Sequence, residues 1–209
     1  PEKRFDEDAL RILRGLRFSS CLGFAIEKKT AKAILAQREL LKSISAERIT
    51  AELKRLLGGK DVRRILLDYR DVIGVFIPEL RESFDFKQNN PHHFLDVYGH
   101  ICLSVENVRP QWLMRLTMLL HDIGKPRMHT VDENGISHFK KHQFEGAYMA
   151  EEILKRLRID NASAKYIYEL IWEHDNRIAA TKKSVRRFMA LHDYDFIMDY
   201  LKVRRADTY

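Results

Sequence analysis

The stretch Leu119-Leu120-His121-Asp122-Ile123-Gly124-Lys125 sets an imidazole and a carboxylate side by side in an apolar run that stops at a glycine. Working outward, His100 lies upstream and Asp207 lies near the end of the chain, and all four residues are suitable ligands for a divalent metal. Imidazole nitrogen with carboxylate oxygen suits Zn, Mn, Ni, Co, Fe or Mg and leaves open positions for water and phosphate. A lone His-Asp pair would mean little; the ordered set of four reads as a metal site. Two further histidines strengthen it. His142 opens His142-Gln143-Phe144-Glu145-Gly146-Ala147 ahead of a helical pattern, and His174 closes the apolar helix Tyr168-Glu169-Leu170-Ile171-Trp172-Glu173. His92, His93, His129, His138 and His192 have no such context and read as ordinary polar residues.

The His…His-Asp…Asp order resembles the HD superfamily of metal-dependent phosphohydrolases. Asp96-Val97-Tyr98-Gly99-His100 and Arg205-Ala206-Asp207 are similar to that superfamily's first and last metal-ligand motifs. The resemblance implies that His100, His121, Asp122 and Asp207 hold one divalent ion, with Ni, Mn, Co, Zn and Mg as candidates. It also implies that His142 and His174 recruit a second metal or hydrogen-bond a substrate phosphate. A bound divalent ion lowers the pKa of its water towards neutrality and supplies hydroxide. It also neutralises charge building on a phosphoryl oxygen, leaving the protein mainly to position the groups. Lys125 reads in two ways, as a cation approaching the phosphate or as a helix C-terminal cation stabilised by the macrodipole. The expected catalytic set is thus His100, His121, Asp122, Lys125, His142, His174 and Asp207, with a 2′,3′-cyclic phosphate or nucleotide monoester as substrate.

Most of the chain reads as amphipathic helix, and the expected fold is all-α. A first helix is expected from Asp6 to Cys21, with Ala9, Ile12, Leu13 and Leu16 as its buried stripe and Gly23 ending it. A second runs from Lys28 to Leu41. Ser45 can cap a third, through Ile49, Leu53, Leu56 and Leu57, before Gly58-Gly59 breaks it. Asp61 can cap a fourth, through Ile65, Leu66 and Val72. The stretch from Met128 to Phe139, centred on Asp132-Glu133-Asn134-Gly135, suits a short hairpin. Pro78 and Asp85-Phe86-Lys87-Gln88-Asn89-Asn90-Pro91 mark a boundary. The expected organisation is therefore a helical module over 1–86 followed by a helical metal module over 87–209.

At 209 residues the chain can bury a proper core, as two small domains or as one. Its first residue is Pro1 and its last is Tyr209, two beyond a proposed ligand, which suits a fragment excised from a longer protein. No apolar run approaches the length of a membrane span and no signal peptide is evident, so no membrane partner is expected. Cys21 and Cys102 cannot make a disulfide framework, and a reducing cytoplasm fits them best. A net charge of +7 allows a polyanionic partner without demanding one.

Arg4-Phe5-Asp6-Glu7-Asp8-Ala9-Leu10-Arg11-Ile12-Leu13-Arg14-Gly15-Leu16-Arg17-Phe18 carries the second signal. On a continuous helix Asp8 and Arg11, three residues apart, share a face. Cytosine and adenine both offer an exocyclic amino donor beside a ring-nitrogen acceptor, which a carboxylate and a guanidinium can match together. Guanine and uracil would leave both protein groups mismatched and unpaired. From spacing alone, however, the pair reads rather as a surface ion pair.

The same stretch closely resembles the start of the neck in class II tRNA nucleotidyltransferases, which include CCA-adding enzymes and bacterial poly(A) polymerases. Glu7-Asp8 and Arg11 match that family's Glu-Asp-x-x-Arg motif; Leu22-Gly23-Phe24 and Ser45-Ala46-Glu47-Arg48-Ile49 are similar to other parts of its neck. Several members carry an HD domain directly after the neck, so the two motif sets together cover nearly the whole chain. The resemblance implies a tRNA acceptor end as partner, with Asp8, Arg11 and Arg14 binding ATP and CTP alongside Mg in the full-length transferase. That family's catalytic Gly-Ser…Asp-x-Asp head has no counterpart here, so nucleotide addition by this chain alone is not expected. The choice among CCA, CC-only, A-only and poly(A) addition lies in that head, and the oligomeric state is equally open. Two other readings stay in view. One is an independent HD-family nucleotide phosphohydrolase. The other is a non-catalytic tRNA-binding arm, with Lys182, Lys183, Arg186, Arg187, Arg204 and Arg205 as phosphate contacts.

Overall fold

The computed structural model describes residues 1–89 and 95–208. His92 and His93 fall outside the described residues. Among the described residues the fold is helical apart from one short hairpin, in agreement with the all-α expectation.

The N-terminal stretch forms α1 (Glu2–Glu7) and α2 (Leu10–Leu22). The expected single helix is broken at Asp8, whose backbone is extended (φ −155°, ψ 102°). Its carboxylate accepts from the Leu10 amide at 3.2 Å, the local bond with which aspartate competes against helix interior. The break lets Phe5 on α1 and Leu10, Ile12, Leu13 and Leu16 on α2 enter the same core. Gly23 ends α2 at φ 77°, where a side chain would be strained.

α3 (Lys28–Ala36) is shorter than expected, because a 3₁₀ turn over Arg38–Ser43 replaces its second half. α4 (Ala46–Leu57) follows Ser45 as expected, although the hydroxyl makes no capping bond. The expected fourth helix is two, α5 (Val62–Asp68) and α6 (Arg70–Phe76), separated at Tyr69 (φ −122°, ψ 30°). The break allows Val62, Ile65 and Leu66 before it, and Val72, Ile73 and Phe76 after it, all to be buried. Asp61 precedes α5, but its carboxylate pairs with Arg64 at 2.7 Å instead of capping an amide.

The second half contains α7 (Val97–Asn107), α8 (Trp112–Leu120), α9 (His142–Arg156), α10 (Asn161–Glu173), α11 (Lys182–Leu191) and α12 (Tyr194–Asp207). Between α8 and α9 the hairpin joins β1 (Thr130–Val131) to β2 (Ser137–His138), antiparallel, with Thr130 opposite His138. Asp132 closes its turn by accepting from the Asn134 and Ile136 amides.

One hydrophobic cluster runs from Phe5 to Ala206, so packing continues across the expected boundary near residue 86. α4 rests on α8 and α5 on α7. Buried Arg115 of α8 donates to the buried Leu57 and Gly59 carbonyls at 2.6 and 2.5 Å, satisfying the chain where α4 ends. Tyr98 of α7 donates to the Leu66 carbonyl at 2.9 Å. Finally, α12 packs against α7, α8 and α10, which carries the last helical turn of the described chain back to the 119–125 stretch.

Candidate metal centre

Helix ends build the site. His100 lies in the first turns of α7, whose N-terminus is capped by Asp96 accepting from the Gly99 amide at 2.6 Å. His121 and Asp122 directly follow α8, His142 opens α9, His174 follows α10 and Asp207 closes α12. Of these, Asp207 is the most open, its side chain 24% exposed, while Asp122 is 1% exposed.

Asp122 is the hub. Its Oδ2 faces His100 Nε2 at 3.2 Å, His121 Nε2 at 3.3 Å and Lys125 Nζ at 2.7 Å. Its Oδ1 faces His142 Nε2 at 3.1 Å and His174 Nε2 at 3.7 Å. Asp207 Oδ1 closes the first group at 3.0 Å from His100 Nε2 and 3.1 Å from His121 Nε2. Two sets of ligand atoms result, each lying within 4.8 Å of one another: His100, His121, Asp122 and Asp207, and then Asp122, His142 and His174. The four residues expected to hold an ion therefore converge, and the two auxiliary histidines join them through the other oxygen of the same carboxylate.

The imidazoles are aimed by backbone. Nδ1–H of His121 donates to the Met118 carbonyl at 2.7 Å, that of His142 to Phe139 at 2.7 Å and that of His174 to Ile171 at 2.6 Å. Each ring thereby presents Nε2 inward, the orienting bond that metal-ligating histidines require. The approach of α9 depends on small residues. A Cβ on Gly124 would sit 2.4 Å from the His142 carbonyl oxygen and 2.5 Å from the Gly146 amide nitrogen.

The residues fit a divalent cation. Both Asp122 oxygens are buried, and five cation-capable groups surround them. Burial opposes charge on His121, but Asp122 and Asp207 outweigh it and push the imidazolium up to about 10. His100 is likewise raised, against its own burial, by bonds to the same two carboxylates. Burial works against both carboxylates. The facing His121 and Lys125 nonetheless hold Asp122 well below the usual range, and His100 and His121 do the same for Asp207. His174 moves the other way, lowered mainly by burial. Protons on His100 and His121 thus supply the positive charge that the carboxylates demand, and an ion taking these ligands must release them.

Residues 92–206 match the HD domain family, which is more than half of the chain. The chain belongs to the HD domain family. Ahead of this HD domain, residues 23–83 match a family described as the probable RNA and SrmB-binding site of polymerase A. The chain is similar to an A-adding tRNA nucleotidyltransferase of Deinococcus radiodurans, 31% identical over 99% of the chain and 50% of that protein. It is similar to a CC-adding tRNA nucleotidyltransferase of Thermus thermophilus, 30% identical over 99% of the chain and 50% of that protein. A CCA-adding enzyme of Staphylococcus haemolyticus is 43% identical over 50% of the chain and 27% of that protein. The chain spans about half the length of the first two of these relatives.

Away from the HD site, the expected shared face of Asp8 and Arg11 is not formed, because the helix breaks between them. Arg11 turns back to Glu7 at 2.7 Å and to the Arg4 carbonyl at 2.9 Å, while Asp8 pairs with Arg48 at 3.2 Å. Arg14 is exposed, and Arg17 pairs with Glu52 at 2.7 Å. Lys182, Lys183, Arg186, Arg187 and Arg205 are exposed, but Arg204 donates to the His174 carbonyl at 2.9 Å and so supports the centre. His129 pairs with the Ser137 hydroxyl, His138 with Asp132, and His192 stacks on Phe196. Gln88, which the sequence did not single out, receives Lys125 Nζ at 3.1 Å. Among the described residues no helix is long and apolar enough to cross a membrane.

Proposed function

We propose that this chain is the RNA-binding and HD portion of a tRNA nucleotidyltransferase serving tRNA 3′-end maturation and repair. Its HD domain acts as a metal-dependent phosphohydrolase on 2′,3′-cyclic phosphates or phosphomonoesters. The observation that carries the hydrolase reading is the burial of Asp122 among four imidazoles, with each of its oxygens turned to a different histidine pair. His100, His121, Asp122 and Asp207 would hold a divalent ion (Ni, Mn, Co, Zn or Mg), which would supply a hydroxide near neutral pH when bound. His142 and His174 hold a second ion or donate to a phosphate oxygen, and Lys125 offsets charge on the phosphoryl group. The test is hydrolysis of a nucleoside 2′,3′-cyclic phosphate and of p-nitrophenyl phosphate by chelator-treated protein resupplied with each ion, beside Asp122→Ala. Activity that returns with an ion and is absent from the variant is expected. A folded, ion-loaded protein inactive on both substrates refutes hydrolysis.

The match of residues 23–83 to an RNA-binding family supports a second role, that of a tRNA-holding arm. Here the helices grip the acceptor end, and Asp8, Arg11 and Arg14 contact ATP or CTP, with Mg, in the longer protein. Base reading then requires Asp8 to exchange Arg48, and Arg11 to exchange Glu7, for the base edge. Charge reversal at Lys182, Lys183, Arg186 and Arg187 that removes tRNA binding while hydrolysis persists would separate the arm from the enzyme. Both roles set the protein in the cytoplasm without a membrane partner.

A further inference from the structure

Lys125 occupies an unusual place for a lysine. Its residue is 6% exposed, and Nζ lies 2.7 Å from Asp122 Oδ2, the oxygen that also faces His100 and His121. An ion bound at that oxygen would sit about 2.0–2.2 Å from it. Ammonium and ion would then be like charges close together on one carboxylate atom, so each weakens the other's hold on it. A displaced buried ammonium must find another acceptor, because leaving it unpaired is far more costly than moving it.

That acceptor is already present. Gln88 is 2% exposed, its Oε1 accepts from Lys125 Nζ at 3.1 Å, and its own amide nitrogen donates to the Leu95 carbonyl at 3.2 Å. The donation to Leu95 fixes which end of the amide points at the lysine. Phe139 offers a second resting surface, its ring centroid 5.7 Å from Nζ.

We propose that Lys125 is a built-in competitor for the ion at Asp122, and that Gln88 is the positioning residue that sets the strength of that competition. With Gln88 receiving the ammonium, Lys125 releases Asp122 at little cost and remains beside the site. Without it, Lys125 has Asp122 as its sole protein carboxylate or carbonyl partner among the described contacts and holds on harder.

This inference rests on the reading of the cluster as an ion site, and the experiment separates the two. Chelator-treated wild type, Lys125→Met, Gln88→Leu and Gln88→Glu are titrated calorimetrically with Mn(II) and with Ni(II) at one pH, with thermal melts of the same samples. Lys125→Met is expected to bind about tenfold tighter or more, because a like charge leaves the shared oxygen. Gln88→Leu is expected to bind weaker, and Gln88→Glu tighter, since a carboxylate at that position draws the ammonium away from Asp122. Opposite signs at one position are what loss of packing alone would not produce. Unchanged or weaker binding by folded Lys125→Met overturns the competition, and shifts of the same sign in both Gln88 variants overturn the positioning role. A wild type that takes up neither ion removes the ion-site reading and this inference with it.

Discussion

Gly124→Ala tests whether the centre depends on main-chain contact between the 121–125 turn and the first turn of α9. The added Cβ would lie 2.4 Å from the His142 carbonyl oxygen, 2.5 Å from the Gly146 nitrogen and 3.0 Å from the Gly146 Cα. Ordinary carbon–oxygen contact begins at about 3.3 Å, so α9 must retreat by about 1 Å. Every obstructing atom is backbone, so no side chain can rotate away. Overpacking of this kind costs typically about 1–3 kcal/mol, and the rigidity of the contact argues for the upper end. About 3 kcal/mol in a chain of this size lowers the melting temperature by about 6–12 °C. The retreat also takes His142 Nε2 away from Asp122 Oδ1, now 3.1 Å distant, and so weakens ion uptake. Gly15→Ala is the internal control: its Cβ would meet only Ile34 Cδ1, at 3.7 Å, inside α2. Alanine there should stabilise by about 0.5–1 kcal/mol through helix propensity. Urea unfolding of both variants, with slopes compared to the wild type, gives the answer. A Gly124→Ala protein as stable as Gly15→Ala would refute the close-approach argument.

Two further predictions follow from the electrostatics. The His121 pKa rises from 6.5 to about 10 on folding, so its stabilisation is complete below pH 6.5 and is lost as pH climbs through about 10. Asp122 and Asp207 are depressed below 3.8, so their share is present above that value and lost on acidification. Ion-free protein should therefore melt at progressively lower temperature from pH 7 to 10, as followed by calorimetry with chelator present; a flat profile would contradict the proton-for-ion exchange. Cys102 is fully buried and its thiol is pushed up to about 12, chiefly by burial, whereas Cys21 is partly exposed. A thiol-reactive chromophore should label one cysteine in native protein and both in urea, and mass mapping that finds Cys102 labelled natively would show the α7 packing to be wrong.

The helical stripes were legible because they rest on local rules, and the convergence of His100, His121, Asp122 and Asp207 was legible from the order of a known family's motif. Ile12, Leu13 and Leu16, or Ile49, Leu53, Leu56 and Leu57, repeat at helical spacing and are buried in the structure. The short hairpin was legible from turn chemistry around Asp132 and Gly135. What local rules missed was tertiary. Periodicity runs straight through Asp8 and Tyr69, yet each helix breaks there so that apolar residues on both sides can reach the core. The Asp8/Arg11 spacing presumed a continuous helix, and the break at Asp8 sets the two against Arg48 and Glu7 instead. Gln88 carried no signal, because a glutamine in a polar run looks like any other loop residue until Lys125 is found against it.

The bridging role of Asp122 was beyond sequence for a further reason. Spacing identifies residue types that bind cations, but it does not say which oxygen of a carboxylate faces which partner. That assignment follows from two contacts distant in sequence. α12 returns Asp207 to the Oδ2 side, where His100 and His121 wait, and the Gly124–Gly146 approach seats His142 and His174 on the Oδ1 side. The two sets are coupled through one buried carboxylate, so charge placed on either side must be felt on the other. His142→Ala should accordingly alter ion affinity at the His100 side as well as remove a ligand from its own. Independent behaviour of the two sides in calorimetric titrations of this variant and of His100→Ala would show that Asp122 does not join them.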